Sequence, residues 1–426
     1  MLHCGTGRRI INPELGHCLA GYGEDFLADG VHDDLTVTAM YLADGQREAI
    51  LLVFDLVGML AELSGQIRRA VSQFTGVSAE AVFTACTHTH SGPEVKDRSN
   101  VAGPKGPGVV RPDYNARLVD WSAQAAGDAK ASAEPCQLCY NFTTAAGTMN
   151  RRYFFPDRRG LYVPTHKQLA GLSDQYVDRE LGIVAFRKVG TANQYQAVVT
   201  NFAAHPLCVG NSSNQVSADY PGYLRRTVEE TLAGCRCLTT TGAAGDLHPL
   251  LPESGFDSAR RMGEALGRRV IARLYDAVIV DYDEQLRTAW TPIELPSRDV
   301  ATGALLPTLA DRDRLPYVSR QGAKMIRTAV SLLGIGPILL VGMPGEPVAE
   351  LGAMIKWSSP FLKTYVLHTA TDYAGYIVST NQVLWGGMES ANSPFALGAG
   401  ERLVRCVLES ADALLRERPL KLPPVA

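Results

Sequence analysis

One layout recurs five times in this chain and limits what it can fold into. An apolar run of strand length ends in Gly, Pro or Ala next to side chains able to do chemistry. Ala81 to Cys86 runs into Thr87-His88-Thr89-His90-Ser91-Gly92-Pro93, and Tyr195 to Phe202 into Ala203-Ala204-His205-Pro206. Cys237 to Thr241 leads to Gly242-Ala243-Ala244-Gly245-Asp246-Leu247-His248-Pro249, and Pro337 to Gly342 to Met343-Pro344-Gly345-Glu346-Pro347. Thr364 to His368 leads to Thr371-Asp372-Tyr373-Ala374-Gly375-Tyr376. Small residues and Pro allow a tight turn and let backbone approach a ligand closely. Strand ends are also where α/β proteins bind ligands, so five such ends predict a common rim.

Amphipathic helices fill the space between these strands. Apolar residues fall at helical spacing over Glu62 to Phe74, Tyr114 to Ala131, Pro221 to Ala233, Asp257 to Tyr275, Gln321 to Leu333 and Glu401 to Glu417. Strands alternating with helices predict an α/β fold, a mixed β-sheet core flanked by helices with a metal site at the strand ends. No internal repeat or low-complexity linker divides the chain, so residues 1–426 are expected to form a single domain. The Gly- and Pro-rich stretch from Gly92 to Pro112 is long enough for a lid or specificity loop.

Composition excludes several classes. The 426 residues carry a net charge of −3 with interspersed signs, so there is no basic stripe for nucleic acid. No apolar run reaches membrane-spanning length, and the first residues lack the apolar core of a secretory signal. Nine cysteines without a framework fit a reducing compartment, so the expectation is a cytoplasmic protein without stable membrane insertion. Cys136-Gln137-Leu138-Cys139 lacks the second pair a structural zinc site needs and continues as a strand, so it reads as ordinary buried thiols. Oligomeric state is not written in the sequence.

The rim residues His88, His90, His205, His248, Glu346, Asp246, Tyr373 and Tyr376 offer nitrogen and oxygen donors without thiolate. Such a set suits a catalytic zinc, whose ligands come from separate segments and leave a position open for water. Zinc lowers the pKa of that water and polarises a carbonyl, which hydrolysis of an amide or ester requires. These residue types alone do not fix which of them coordinate.

Several segments resemble, in order, the signature segments of the neutral ceramidase family. They are Leu19-Ala20-Gly21-Tyr22-Gly23, Val31-His32-Asp33-Asp34-Leu35, Thr87 to Pro93, Asn150-Arg151, Phe202 to Pro206, Pro344-Gly345-Glu346 and Tyr373-Ala374-Gly375-Tyr376. The resemblance runs from about Gly5 to the last helix and looks like a catalytic domain alone, without a C-terminal immunoglobulin-like domain. It implies one Zn2+ held by His88, His205, Glu346 and Tyr376, with His90 and Arg151 facing the substrate carbonyl as oxyanion donors.

Two positions depart from the family. The family carries a serine after its Gly-Asp step, whereas Gly245-Asp246-Leu247 is followed here by His248. A second family tyrosine falls on Met388. A serine nucleophile is thereby excluded, and His248 with Asp246 as its orienting carboxylate is expected to manage protons. Asp55 is a candidate outer partner for a metal-bound histidine, and Asp219 a helix cap. The expected function is a zinc-dependent hydrolase cleaving an amide (N-acyl) or related carbonyl bond of a small molecule other than ceramide. The alternatives are an enzyme on the same scaffold acting on an ester, lactone or sugar derivative, lyase or isomerase chemistry included, and a metal-binding protein without catalysis.

Overall fold

Strand residues in this chain bury both faces, and alternation assigns each face to a different layer. In the strand Glu48–Phe54, Ile50, Leu52 and Phe54 join one apolar cluster while Ala49, Leu51 and Val53 join another. Glu180–Lys188 splits the same way, with Val184 and Phe186 on one side and Leu181, Ile183 and Ala185 on the other. A period of two with no solvent face means that each strand is covered from above and below. The computed structural model describes residues 1–21, 26–96, 111–154, 160–162, 175–298, 317–320 and 323–421.

Two mixed sheets result. The nine-stranded one runs Arg236–Thr241, Tyr195–Phe202, Glu180–Lys188, Glu134–Thr144, Leu2–Ile10, Thr36–Ala43, Glu48–Phe54, Val82–Cys86, with Val278–Val280 also paired to Glu134–Thr144. The five-stranded one runs Leu286–Pro296, Ala323–Ile335, Ile338–Gly342, Lys363–Leu367, with Tyr317–Arg320 paired to Ala323–Ile335. One apolar cluster holds residues of both sheets, among them Leu51, Val53, Phe186, Leu333, Leu340 and Tyr365, so the sheets pack face to face. At Gly182 a Cβ would come within 2.1 Å of the Tyr365 ring, which is why glycine stands there.

Helices cover the outer faces. Ala61–Thr75 and Pro112–Ala131 lie on one part of the large sheet, and Asp219–Thr231 and Phe256–Leu274 on another. Ala349–Ser358 and Ala399–Glu417 cover the small sheet. The α/β expectation of a mixed sheet flanked by helices therefore holds, with two sheets sharing the core. Five of the six expected helices are present. The sixth, Gln321 to Leu333, is instead the strand Ala323–Ile335 from Ala323 onward. Ile326, Val330 and Leu333 mimic helical spacing, but Ile326, Val330 and Leu332 join one apolar cluster while Leu333 and Ile335 join another, the period of two of an extended chain.

Cys136 and Cys139 lie buried in Glu134–Thr144, and all nine cysteines are free thiols. No helix among the described residues is long and apolar enough to cross a membrane. Of the Gly92 to Pro112 loop, residues 97–110 lie outside the described residues, as do Tyr22 and Gly23 of the N-terminal motif.

Candidate metal centre

Within the two large sheets three strand pairs are parallel: Glu48–Phe54 with Val82–Cys86, Tyr195–Phe202 with Arg236–Thr241, and Ile338–Gly342 with Lys363–Leu367. The five polar segments are the C-terminal ends of five of these six strands, and hydrogen bonds join them. The Thr241 hydroxyl donates to the Thr87 carbonyl at 2.6 Å, and His368 N donates to the Thr241 carbonyl at 2.9 Å. His205 N donates to the Leu247 carbonyl at 3.0 Å, and Gly245 N to that of Pro347 at 2.8 Å. The expected rim is thus one place, formed by both sheets.

Four side chains converge there. Ligand atoms of His88, His205, Glu346 and His368 all lie within 4.8 Å of one another, and all four residues are buried. Glu346 Oε2 is 3.2 Å from His205 Nε2, 3.5 Å from His88 Nε2 and 3.9 Å from His368 Nε2. Donor atoms on a tetrahedral zinc with bonds of 2.0–2.1 Å sit about 3.3 Å apart, which the His205 and His88 distances match and the His368 distance exceeds.

The other ring nitrogens explain how two of these imidazoles are aimed. His88 Nδ1 pairs with the Val57 carbonyl at 2.5 Å, and His205 Nδ1 with the Ala244 carbonyl at 2.6 Å. A backbone carbonyl on Nδ1 makes that nitrogen the donor and leaves Nε2 with its lone pair toward the centre. His88 adopts a left-handed backbone (φ 72°), unusual for a side chain of its size. Glu346 sits beside Tyr376 in a short parallel bridge, and its Oε1 accepts from the Tyr373 hydroxyl at 2.5 Å. That turn requires Gly345, where a Cβ would lie 2.4 Å from the Gly375 carbonyl oxygen.

Burial sets the protonation states. It pushes His90, His248 and His368 well below the usual histidine range and His205 down to about 4. For Glu346 burial acts upward, but its neighbours His88 and His205 outweigh it, and its carboxyl is held well below normal. The centre at neutral pH therefore holds an ionised carboxylate beside the neutral imidazoles of His205 and His368, a protonation state that suits a metal ion.

The remaining predicted residues form a layer around the cluster. The His90 ring stands edge-on to His88, centroids 4.9 Å apart, and 5.9 Å from His205. Arg151 is buried. Its Nε donates to Glu389 Oε1 at 2.6 Å, its Nη1 pairs with His248 Nε2 at 2.7 Å, and its Nη2 donates to the Gly245 carbonyl at 2.6 Å and the Tyr376 hydroxyl at 3.2 Å. Its guanidinium is thus committed to protein partners. Tyr376 OH lies against Arg151, and Met388 opens the helix Met388–Ala391.

Two expected pairings are replaced. Asp246 does not orient His248: its oxygens accept from Ala349 N at 2.8 Å, Gln382 at 2.9 Å and Asn150 at 3.0 Å, so the group held against His248 Nε2 is Arg151. Asp55 serves no metal-site histidine. It pairs with Arg225 at 2.9 Å and takes the backbone N–H and hydroxyl of Thr36. Asp219 does not cap its helix: Ala218 stands at the N-cap without a side-chain cap bond, and Asp219 accepts from Tyr220 N and, across to another segment, from Val209 N. Two site residues were not expected. His368 ends a recognised strand but was counted as part of it, and Glu389, which bridges Arg151 and Arg152, is a single acid in the turn-rich run Gly386-Gly387-Met388-Glu389-Ser390.

This is an α/β protein with a buried histidine–carboxylate cluster at the ends of parallel strands, a cluster that could hold a metal ion. No protein-family model matches the chain. It is 22% identical over 509 residues to the neutral ceramidase of Mycobacterium tuberculosis (strain ATCC 25618 / H37Rv), an alignment covering 99% of this chain and 78% of that protein. Its fold is similar to the crystal structure of neutral ceramidase from Pseudomonas aeruginosa, with a TM-score of 0.77, 19% identity, and coverage of 100% of this chain and 76% of the other. A ceramidase complexed with C2 is similar at a TM-score of 0.76 and 17% identity, covering 100% and 77%. The chain thus has a neutral-ceramidase-like fold and a distant sequence similarity to a neutral ceramidase.

Proposed function

We propose that this chain is a zinc-dependent hydrolase that cleaves an amide (N-acyl) or related carbonyl bond in a small molecule other than ceramide. One observation carries the reading: two histidine Nε2 atoms, His205 and His88, lie 3.2 and 3.5 Å from one buried carboxylate oxygen of Glu346, at strand ends of a ceramidase-like fold. His88, His205 and Glu346 would hold the ion, with Tyr376 as the fourth position that the resemblance implies. When bound, zinc supplies an acidified water and a polarised carbonyl.

The chain's own residues do the rest. Ionised Glu346 offsets the cation's charge, and the carbonyls of Val57 and Ala244 keep the His88 and His205 Nε2 atoms aimed inward. His90, neutral through burial, is able to take a proton from an attacking water and return it to a leaving nitrogen. The Tyr376 hydroxyl accepts from Arg151 Nη2, which sets the guanidinium beside that fourth position. His248 accepts from Arg151 and so holds the guanidinium in place. It also stands where the family has serine, and the family's second tyrosine is Met388, which together argue for a substrate other than ceramide.

The test is metal content of the purified chain, followed by a panel of N-acyl compounds, ceramide included, assayed with and without chelator. About one zinc per chain, with hydrolysis abolished by chelation and restored by zinc, is expected. Full activity in a metal-free chain would refute the metal dependence, and preference for ceramide would refute the substrate assignment.

A further inference from the structure

We infer that His368 is itself a ligand, so that the ion is held by three histidines and one carboxylate while the Tyr376 hydroxyl stays with Arg151. The inference rests on the metal-centre reading above and changes its coordination sphere.

His368 is fully buried, and neither ring nitrogen has a hydrogen-bond partner among the described residues. A buried imidazole left without partners loses its hydration and gains nothing, so such a group calls for a ligand. Its Nε2 faces the same Glu346 oxygen as His88 and His205, at 3.9 Å. That distance is too long for a hydrogen bond and so rules out an outer partner of the carboxylate. With His88 and His205, His368 belongs to the set of four residues whose ligand atoms all lie within 4.8 Å of one another, so a small inward shift brings it onto a common ion. Ring centroids 4.5 Å from His88 and 5.7 Å from His205 complete the cluster.

The backbone around His368 is tightly constrained. His368 N donates to the Thr241 carbonyl, Thr369 N to that of Gly345 and Thr371 N to that of Thr84, which ties this turn to three other segments of the rim. Thr369 and Thr371 take left-handed φ values of 42° and 70°, a strained shape that persists only where the surroundings hold it. Tyr376, by contrast, is accounted for by Arg151, and Tyr373 occupies Glu346 Oε1 while Oε2 faces the imidazoles. A three-imidazole set favours zinc, nickel, copper or iron over magnesium and calcium.

The test uses the full chain loaded with zinc. X-ray absorption at the zinc edge should count three imidazoles in the wild type. Zinc affinity by chelator competition should fall more than about 100-fold in both His368→Ala and His368→Gln, beyond the 10–100-fold typical of an outer partner, with circular dichroism confirming folded chains. Tyr376→Phe should keep zinc affinity within about tenfold. Two imidazoles in the wild type, a smaller loss in the His368 variants, or a Tyr376→Phe chain that no longer holds zinc would overturn the inference and leave the proposed function standing. A wild-type chain that takes up no zinc would remove both.

Discussion

Arg151 shows how one side chain turns neighbouring segments into a site. Its donors reach His248, Tyr376, the Gly245 carbonyl and Glu389, and Glu389 also takes Arg152 at 2.7 Å. Glu389 is ionised because the two guanidiniums outweigh the upward push of burial. Removing one member of a buried ion cluster leaves the others uncompensated and costs about 3–5 kcal/mol. Glu389→Gln is therefore expected to destabilise by that order and to lower kcat on the order of 100-fold by misplacing Arg151. Zinc content should be unchanged, as atomic absorption on the folded variant will show. A variant with wild-type kcat would mean that Arg151 needs no such anchor. Asp219 supplies a pH prediction. Burial pushes its carboxyl up from 3.8 to about 6 in the folded chain, so folding favours its protonated form. Its contribution is complete below about pH 4 and is lost as pH rises through about 6, a change of about 3 kcal/mol. Urea unfolding at pH 4 and pH 7 should show the wild type losing stability relative to Asp219→Asn over that interval; a constant difference would refute the shift. His88, His205 and Glu346 were legible because each follows an apolar run and sits beside Pro or Gly. His368 was not, because nothing in Leu367-His368-Thr369 marks the end of the strand.

At the scale of elements, the sequence spoke clearly where one periodicity dominated. Ala399–Glu417 and Phe256–Leu274 show a single apolar face and were readable as helices. Ala323–Ile335 carries both periods, and only its place between Leu286–Pro296 and Ile338–Gly342 settles it as a strand. The Asp246–His248 pairing was not legible for a different reason. Short spacing suggested contact, but the start of the helix Ala349–Ser358 claims the carboxylate, and that helix lies about a hundred residues on. The segment at Leu19 shows how a minor element shapes the site. Leu19 bridges Pro93, and Ala20 N donates to the Gly92 carbonyl, which lays Gly21 against the His90 ring. Gly21 has φ 97°, and a Cβ there would lie 2.2 Å from His90 Nδ1. Gly21→Ala should thus displace His90 while leaving the metal cluster intact. The expected result is zinc affinity within about tenfold of wild type and kcat lower by on the order of 10–100-fold. Equal losses of metal and activity would show instead that His90 and the cluster move as one unit.

At the scale of the whole molecule, the centre joins what the core only stacks. His88 and His205 follow strands of the nine-stranded sheet, whereas Glu346 and His368 follow strands of the five-stranded sheet. The apolar layer between the sheets is non-directional and would tolerate small slips of one sheet across the other. Four donors spaced for one ion tolerate far less, so an ion bound there selects a single registration. An ion that binds only the folded arrangement stabilises it by mass action, about 2.7 kcal/mol when free metal is a hundred times Kd. Thermal unfolding of the metal-free chain should then shift upward with added zinc and keep rising with its logarithm above Kd. His205→Ala, which loses a donor from the large sheet, should start near the metal-free wild type and stay flat. Magnesium at the same concentration should leave both unchanged, because imidazole donors suit it poorly. A wild-type midpoint that ignores zinc would mean that the four side chains do not close on an ion, and that the two sheets are held by their apolar faces and the hydrogen bonds of the rim.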